Sequence, residues 1–187
     1  MIVTRLSMSD QVYFFSPHFL ISLAAKKIDC RHNSKSTMFD PDVSLSDLNS
    51  FSAGTMVQHL GIEFTELGND FLKARMPVDH RTFQPLKMLH GGASTALAET
   101  LGSVAAHISV NRKTHYCVGM EINANHIKSV KNGYVYGIAR ALHLGKSTHV
   151  WEVRIEDESG ALVCISRLTI AILKRSVDAE QNNVANG

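Results

Sequence analysis

The feature that most constrains the fold is an unbroken stretch of small and apolar residues from Gly91 to Ile108. It is long enough for a helix of about five turns. It is apolar or small on almost every side, which is typical of a helix that the rest of the chain buries. Glu99 is its one carboxylate. Because an isolated carboxylate is costly to bury, Glu99 is either functional, or reaches solvent through a gap, or caps a backbone group.

Strand-like segments lie on both sides of this stretch. They are separated by turn sequences rich in Gly, Asn, Asp and Ser. The predicted strands cover residues 62–67 and 71–78 before the helix, and 117–128, 135–143, 148–155 and 162–173 after it. One helix with a run of antiparallel strands predicts an α+β architecture.

Two short helices are predicted ahead of the first strand. Ser44 and Asp47 have the spacing of a capping box, with Asp in place of the usual Glu or Gln. The second short helix runs from Thr55 to Leu60, and Gly61 closes it.

The composition excludes several classes of protein. The chain has 187 residues and a formal charge of only +2, without the basic face of a nucleic-acid binder. No apolar run approaches the ~20 residues that a membrane helix needs. Three distant cysteines and ten scattered histidines give neither a disulfide framework nor metal-ligand spacing. We therefore expect a protein of the reducing cytoplasm that holds no metal.

The two ends of the chain differ from the middle. Residues 1–40 show no clean period, and an apolar run resembling a signal peptide is interrupted by Pro17 and His18 without a convincing cleavage site. They are interpreted as an extension, or as the product of a misplaced start with Met38 as the true one. We expect one domain over residues 41–175 and a polar tail over 176–187.

The entry to the central helix is the second candidate site. His90, Gly91 and Gly92 follow an irregular loop. The first N–H groups of a helix lack intrahelical partners and carry the positive end of its dipole, so they can stabilise an anion or a developing oxyanion. The glycine pair could instead serve only a tight turn into the helix.

Glu99 and Gly91 are too far apart to act on one substrate atom within a chain. They are eight residues apart, or about 12 Å along a helix, whereas reacting groups must approach to about 3 Å. A site that uses both must combine two subunits, which predicts an obligate dimer. Ser103 lies on the same helix face as Glu99 and can hydrogen-bond to it, and the Gln84 amide in the preceding loop could orient a water or a carbonyl.

Three motifs carry a resemblance to a known family. The segments 77–85, 89–94 and 97–103 closely resemble the hotdog-fold thioesterases, in the branch that contains aryl-CoA thioesterases of the 4-hydroxybenzoyl-CoA type. Residues 118–126, 142–145 and 166–169 add further matches, and the resemblance covers about residues 44–173. Within this branch the sequence looks most like bacterial thioesterases that act on 1,4-dihydroxy-2-naphthoyl-CoA in menaquinone synthesis.

The resemblance implies a fold and a reaction. A curved antiparallel sheet wraps one long helix, two subunits share each active site, and dimers pair into tetramers. The reaction is hydrolysis of an aryl-CoA thioester without a cofactor, since CoA belongs to the substrate. Glu99 is then the nucleophile or the general base, and the Gly91 N–H polarises the thioester carbonyl. Gln84, His90 and Ser103 match supporting polar positions.

Residues near the CoA arm also follow from the resemblance. They are Gly92, Gly119, His126, Ile127, Lys128, Ser129, His143, Leu144, Gly145, Lys146, Ser147 and Thr148. Lys128 and Lys146 could meet the CoA phosphates, although a surface lysine is often merely solvated. Lys87 and Met88 depart from the more apolar residues of relatives, which leaves the preference for an acyl group open.

Three alternative functions stay open. A proofreading thioesterase would apply the same chemistry to a misacylated carrier protein. A hotdog dehydratase would need a His-centred acid–base pair, and Glu99 has no evident His partner on its helix. A non-catalytic acyl-CoA-binding module would be expected to lack the carboxylate, which is present here.

Overall fold

The computed structural model of the protein describes residues 37–175, so the expectations for residues 1–36 and 176–187 lie outside the described residues. The helices are α1 (Leu45–Phe51), α2 (Met56–His59) and α3 (Gly91–Ile108). The strands are β1 (Glu63–Leu67), β2 (Phe71–Pro77), β3 (His115–His126), β4 (Tyr134–Leu144), β5 (Thr148–Asp157) and β6 (Leu162–Lys174). Within residues 37–175 no helix is long and apolar enough to cross a membrane.

The six strands form one antiparallel sheet in the order β1-β2-β4-β5-β6-β3. Helix α3 packs across β2 to β6. The predicted α+β architecture is confirmed, and each predicted strand end lies within two residues of the observed one. The predicted capping box at Ser44 and Asp47 is also present. Gly137 lets strand β4 and helix α3 lie close together, because a Cβ on this residue would overlap the side chain of Leu101 in α3.

Helix α3 is buried on one side rather than all round. Leu97, Leu101 and Ala105 are fully buried against the sheet. Glu99 and Ser103 lie on the other side of the helix and are only half-buried. The prediction of a fully buried helix was therefore wrong for a single chain, because one sheet covers one face of a helix and composition does not show which face stays open.

Strand β3 contains a β-bulge that changes which residues face α3. Gly119 and Glu121 pair with consecutive residues of β6, so Met120 is an extra residue. Gly119 faces α3 before the bulge, whereas Ile122 and His126 face it afterwards. Side chains alternate between the faces of a strand, and the extra residue shifts that alternation by one position.

Met38 and Phe39 pack onto the domain ahead of the first helix. The Met38 N–H donates to the carbonyl oxygen of Asn69 at 2.8 Å. The Phe39 ring is 3% exposed and stacks on Trp151 with 6.3 Å between ring centroids and an interplanar angle of 14°. The packed part of the domain thus includes residues ahead of the expected boundary at residue 41.

Candidate active site

The first turn of α3 leaves one backbone donor free. His90 is the N-cap residue, and its Nδ1 accepts a hydrogen bond from the Gly92 N–H at 2.8 Å. An accepting Nδ1 is unprotonated, so the neutral ring carries its proton on Nε2. The Gly91 N–H has no acceptor among residues 37–175. Of the two glycines, Gly91 therefore provides the donor that a ligand can reach.

A cavity of about 280 Å³ opens beside this turn. Its lining residues are Gln84, Met88, Leu89, Gly91, Ser94, His126, Ile127, Lys128, Ser129 and Val163. Three predicted site residues thus meet at this cavity: Gln84 of the loop, Gly91 at the start of α3 and His126 at the end of β3. Leu89, Ser94 and Val163 also line the cavity, although nothing in their sequence spacing predicted it, and Met88 was predicted only as a departure from relatives.

The Gln84 side-chain amide uses its oxygen for a hydrogen bond within the loop, whereas its NH₂ group has no such partner among the described residues. Its Oε1 accepts a hydrogen bond from the Leu86 N–H at 2.7 Å, which holds the amide in the turn that precedes α3. The amide NH₂ is the remaining donor group. Gln84 lines the same cavity as Gly91. The residues that carry two uncharged hydrogen-bond donors, the Gln84 NH₂ group and the Gly91 N–H, therefore lie at one cavity.

Glu99 and Ser103 form a second cluster farther along α3. The Ser103 hydroxyl donates to Glu99 Oε1 at 2.9 Å, as the spacing of the two residues predicts. A Cβ placed on Gly119 of β3 would lie 2.8 Å from the same oxygen. The carboxylate thus lies between its own helix and the edge strand, where it is half-buried rather than enclosed.

The two cysteines within residues 37–175 are poor candidates for a nucleophile. Burial raises the pKa of the Cys117 and Cys164 thiols, and the thiolate is the reactive form. Both thiols are therefore less reactive than an ordinary cysteine thiol at neutral pH.

Lys128 at the cavity already has a partner. Its Nζ lies 2.5 Å from Asp157 Oδ2. Hydrogen bonds from Lys128, Ser159 and the Ala161 N–H hold the pKa of the Asp157 carboxyl well below its usual range. The pair fixes the ammonium group next to the cavity and partly balances its charge. Lys146, by contrast, is exposed in the turn after β4.

The predicted CoA-contacting residues fall into two separated groups. Cys164 of β6 pairs with His126, whereas Ala171 pairs with Thr148. Seven residues of strand separate these two pairings, or about 23 Å. Residues 126–129 and 143–148 therefore lie at opposite ends of the sheet within one chain.

The strand between the two clusters has an open edge. β3 is the last strand of the described sheet, and only β6 pairs with it. Val118 and Met120 on this strand are 43% and 64% exposed. An unpaired edge with exposed apolar side chains is suited to pairing with a second chain.

The chain is similar in sequence and in fold to known thioesterases. Residues 86–164 match the thioesterase superfamily. The chain is 51% identical over 131 residues to a proofreading thioesterase, EntH, of Cronobacter turicensis, covering 70% of this chain and 95% of the relative. It is 50% identical over 131 residues to the 1,4-dihydroxy-2-naphthoyl-CoA hydrolase of Escherichia coli, covering 70% and 96%. A crystal structure of a mutant thioesterase from Pseudomonas aeruginosa matches with a TM-score of 0.73 and 42% identity, over 74% of this chain and all of that one.

Proposed function

Because the chain belongs to the hotdog-fold thioesterase superfamily and is a thioester hydrolase, we propose that it hydrolyses an aryl-CoA thioester to the free acid and CoA. The observation that carries this proposal is the Glu99 carboxylate, which Ser103 holds on the open side of α3. The preference for an aryl group rests on the similarity to the naphthoyl-CoA hydrolase of Escherichia coli.

The first part of the mechanism is polarisation of the thioester carbonyl. The Gly91 N–H donates to the carbonyl oxygen, and the positive end of the α3 dipole adds to the stabilisation as negative charge develops there. The Gln84 NH₂ group supplies a second donor from the same cavity. His90 contributes indirectly, since its ring occupies the Gly92 N–H and fixes the helix start.

Glu99 acts on the acyl carbon in one of two ways. As general base it takes a proton from water, the water oxygen bonds to the acyl carbon, and the carbon–sulfur bond breaks. As nucleophile it bonds to the acyl carbon itself and expels the thiolate, and water then hydrolyses the resulting anhydride. In both routes the thiolate of CoA leaves and takes up a proton, and the acid is released.

The active site is assembled from two subunits in this proposal. Glu99 lies about 12 Å along α3 from Gly91, which is too far for both to touch one thioester. Pairing of two chains along the open β3 edge would bring the Glu99 of one towards the Gly91 of the other and would cover Val118 and Met120. The two separated groups of CoA-contacting residues fit the same arrangement. Pairing of dimers into a tetramer remains a prediction from the resemblance, and a location in the cytoplasm remains a prediction from the number and spacing of the cysteines.

A second candidate substrate is an acyl group on a carrier protein. It is favoured by the similarity to the proofreading thioesterase of Cronobacter turicensis. The chemistry at Glu99 and Gly91 would be the same, and only the portion of the substrate outside the cavity would differ.

The test is a hydrolysis assay with a panel of thioesters. Benzoyl-, hydroxybenzoyl-, dihydroxynaphthoyl- and aliphatic-CoA esters are compared with an aryl carrier-protein thioester, using the wild type and Glu99→Gln. Glu99→Gln keeps the side-chain shape and removes the charge, so circular dichroism should show the same fold.

We expect aryl-CoA turnover that falls by about a thousandfold or more in Glu99→Gln, because the general base or nucleophile is lost. Turnover of the carrier-protein thioester alone would replace the proposed substrate with the second candidate. Turnover that survives Glu99→Gln would contradict the assignment of Glu99 as the catalytic residue.

A further inference from the structure

Gly119 lies directly against the candidate catalytic carboxylate. A Cβ atom on this residue would lie 2.8 Å from Glu99 Oε1 and 3.9 Å from Oε2. Side-chain carbon and oxygen atoms do not approach as closely as 2.8 Å without one of them shifting. Oε1 therefore occupies space that any other residue at position 119 would fill.

The requirement for glycine at this position is one of space rather than of backbone conformation. The positive φ angles among residues 37–175 occur elsewhere, at Lys87 and at four other glycines. A residue with a side chain could adopt the Gly119 backbone, and alanine would leave the strand intact. The only neighbour that must then move is the end of the Glu99 side chain.

The same contact distinguishes the two carboxylate oxygens. Oε1 faces Gly119 and accepts the Ser103 hydrogen bond at 2.9 Å. Oε2 has no hydrogen-bond donor among the described residues. Oε1 is thus held between the helix and the edge strand, whereas Oε2 is available to contact a substrate or a water molecule.

We propose that Gly119 is a positioning residue for Glu99. The missing side chain leaves a notch in β3 that seats Oε1 beside Ser103 and presents Oε2 to the substrate or to the attacking water. This inference rests on the proposed role of Glu99, and it assigns Gly119 to the carboxylate rather than to the CoA arm. The bulge at Met120 comes directly after the notch, and bulges are frequent where a strand re-aims a side chain near an active site.

The test is a double-mutant cycle between Gly119→Ala and Glu99→Asp, with benzoyl-CoA as the probe. Gly119→Ala should lower kcat by about tenfold or more, because misplacement of a reacting group by about 1 Å is enough for such losses. KM should change by less than about twofold, since ground-state binding is untouched. Glu99→Asp withdraws the carboxylate by about 1.5 Å, the length of one carbon–carbon bond.

The cycle separates positioning from general damage to β3. In the Glu99→Asp background the added methyl group no longer meets an oxygen, so Gly119→Ala should change kcat by less than about twofold. A merely structural role predicts the same loss in both backgrounds, and that additive result would overturn the proposal. A wild-type kcat in Gly119→Ala would overturn it as well.

A crystal structure of Gly119→Ala gives a readout that does not depend on activity. We expect the Ser103 Oγ to Glu99 Oε1 distance to rise from 2.9 Å to beyond hydrogen-bonding range, about 3.5 Å. An unchanged carboxylate position would refute the notch whatever the kinetics show. If the wild type hydrolyses no thioester, the proposed function fails by itself, and this structure still decides whether Gly119 positions Glu99.

Discussion

The His126 imidazole lies against Gly91 at the start of α3, so closely that a Cβ on Gly91 would be 2.8 Å from His126 Nε2. The two residues come from different elements, the end of β3 and the first helical turn, and both line the cavity. The absence of a side chain at Gly91 lets the ring sit beside the free backbone N–H. His126 is therefore placed where it can contact whatever that N–H binds.

This contact predicts that Gly91→Ala separates stability from activity. Gly91 is the first residue of α3, where alanine gains less than the ~1 kcal/mol it gains over glycine in a helix interior, so the melting temperature should change little. The added methyl group should displace the His126 ring and lower kcat/KM by about tenfold or more. Thermal unfolding and steady-state kinetics on the same preparation give both values. If the effect acts through the ring, Gly91→Ala will add little further loss in a His126→Ala background.

A site shared between subunits predicts complementation between inactive variants. Glu99→Gln and Gln84→Ala damage the two different clusters, and each alone should have little activity. Random pairing after co-expression makes half of the dimers mixed, and each mixed dimer has one intact site, so activity should recover to about a quarter of the wild-type value. Separately purified variants, mixed without exchange of subunits, serve as the control. If a single chain held the whole site, co-expression would recover nothing.

The packing of Phe39 on Trp151 predicts a large loss of stability in Phe39→Ala. Truncation of a buried phenylalanine costs about 3–5 kcal/mol in the free energy of unfolding. Trp151 is the single tryptophan of the chain, so its fluorescence in a urea titration reports the loss directly. Phe51, which is 91% exposed, is the matched control and should change stability by less than about 0.5 kcal/mol when replaced by alanine. A loss below about 1 kcal/mol in Phe39→Ala would mean that the stacking contributes little.

The ion pair of Asp79 and Arg81 predicts a stability difference that depends on pH. Hydrogen bonds from the Arg81 guanidinium, 2.6 Å from the carboxylate, lower the pKa of Asp79 to about 2. The pKa in the unfolded chain is about 3.9. Because the folded pKa is the lower one, the stabilisation is present above about pH 4 and is lost as the pH falls towards 2.

Both partners of this pair are about one-third exposed, so Asp79→Asn should lower stability at pH 7 by no more than about 1 kcal/mol. Urea denaturation at pH 7, 5 and 3 should show the difference shrinking at the lowest pH. Asp42→Asn, at an exposed carboxylate, is the control. A difference that stays constant from pH 7 to pH 3 would rule out the ion pair as its source.

Local patterns were sufficient to predict the elements of this fold. The stretch from Gly91 to Ile108 was predicted as a helix and has those bounds in the structure. Turn residues placed the strand ends within two positions because glycine and small polar residues interrupt the sheet at those points. The hydrogen bond between Ser103 and Glu99 also follows from local geometry, since residues four apart lie on one helix face.

Contacts between distant segments could not be predicted in this way. The pairing of Lys128 with Asp157 joins the segment after β3 to the last residue of β5, and only the sheet brings the two together. Val163 lines the cavity because β6 lies beside β3, which no spacing in the sequence reveals. The sequence also did not predict that one face of α3 stays uncovered in a single chain, because a helix rich in small residues has no clear polar side.

The bulge at Met120 has a consequence for the length of β3. Seven positions separate Gly119 from His126, and in a regular strand residues an odd number apart point to opposite faces. The extra residue alone allows both to reach α3. Losing one residue between them would turn His126 away from the helix, even though Gly119 and His126 themselves were kept. In this chain the number of residues between Gly119 and His126 therefore decides, as much as their identity does, whether both face α3.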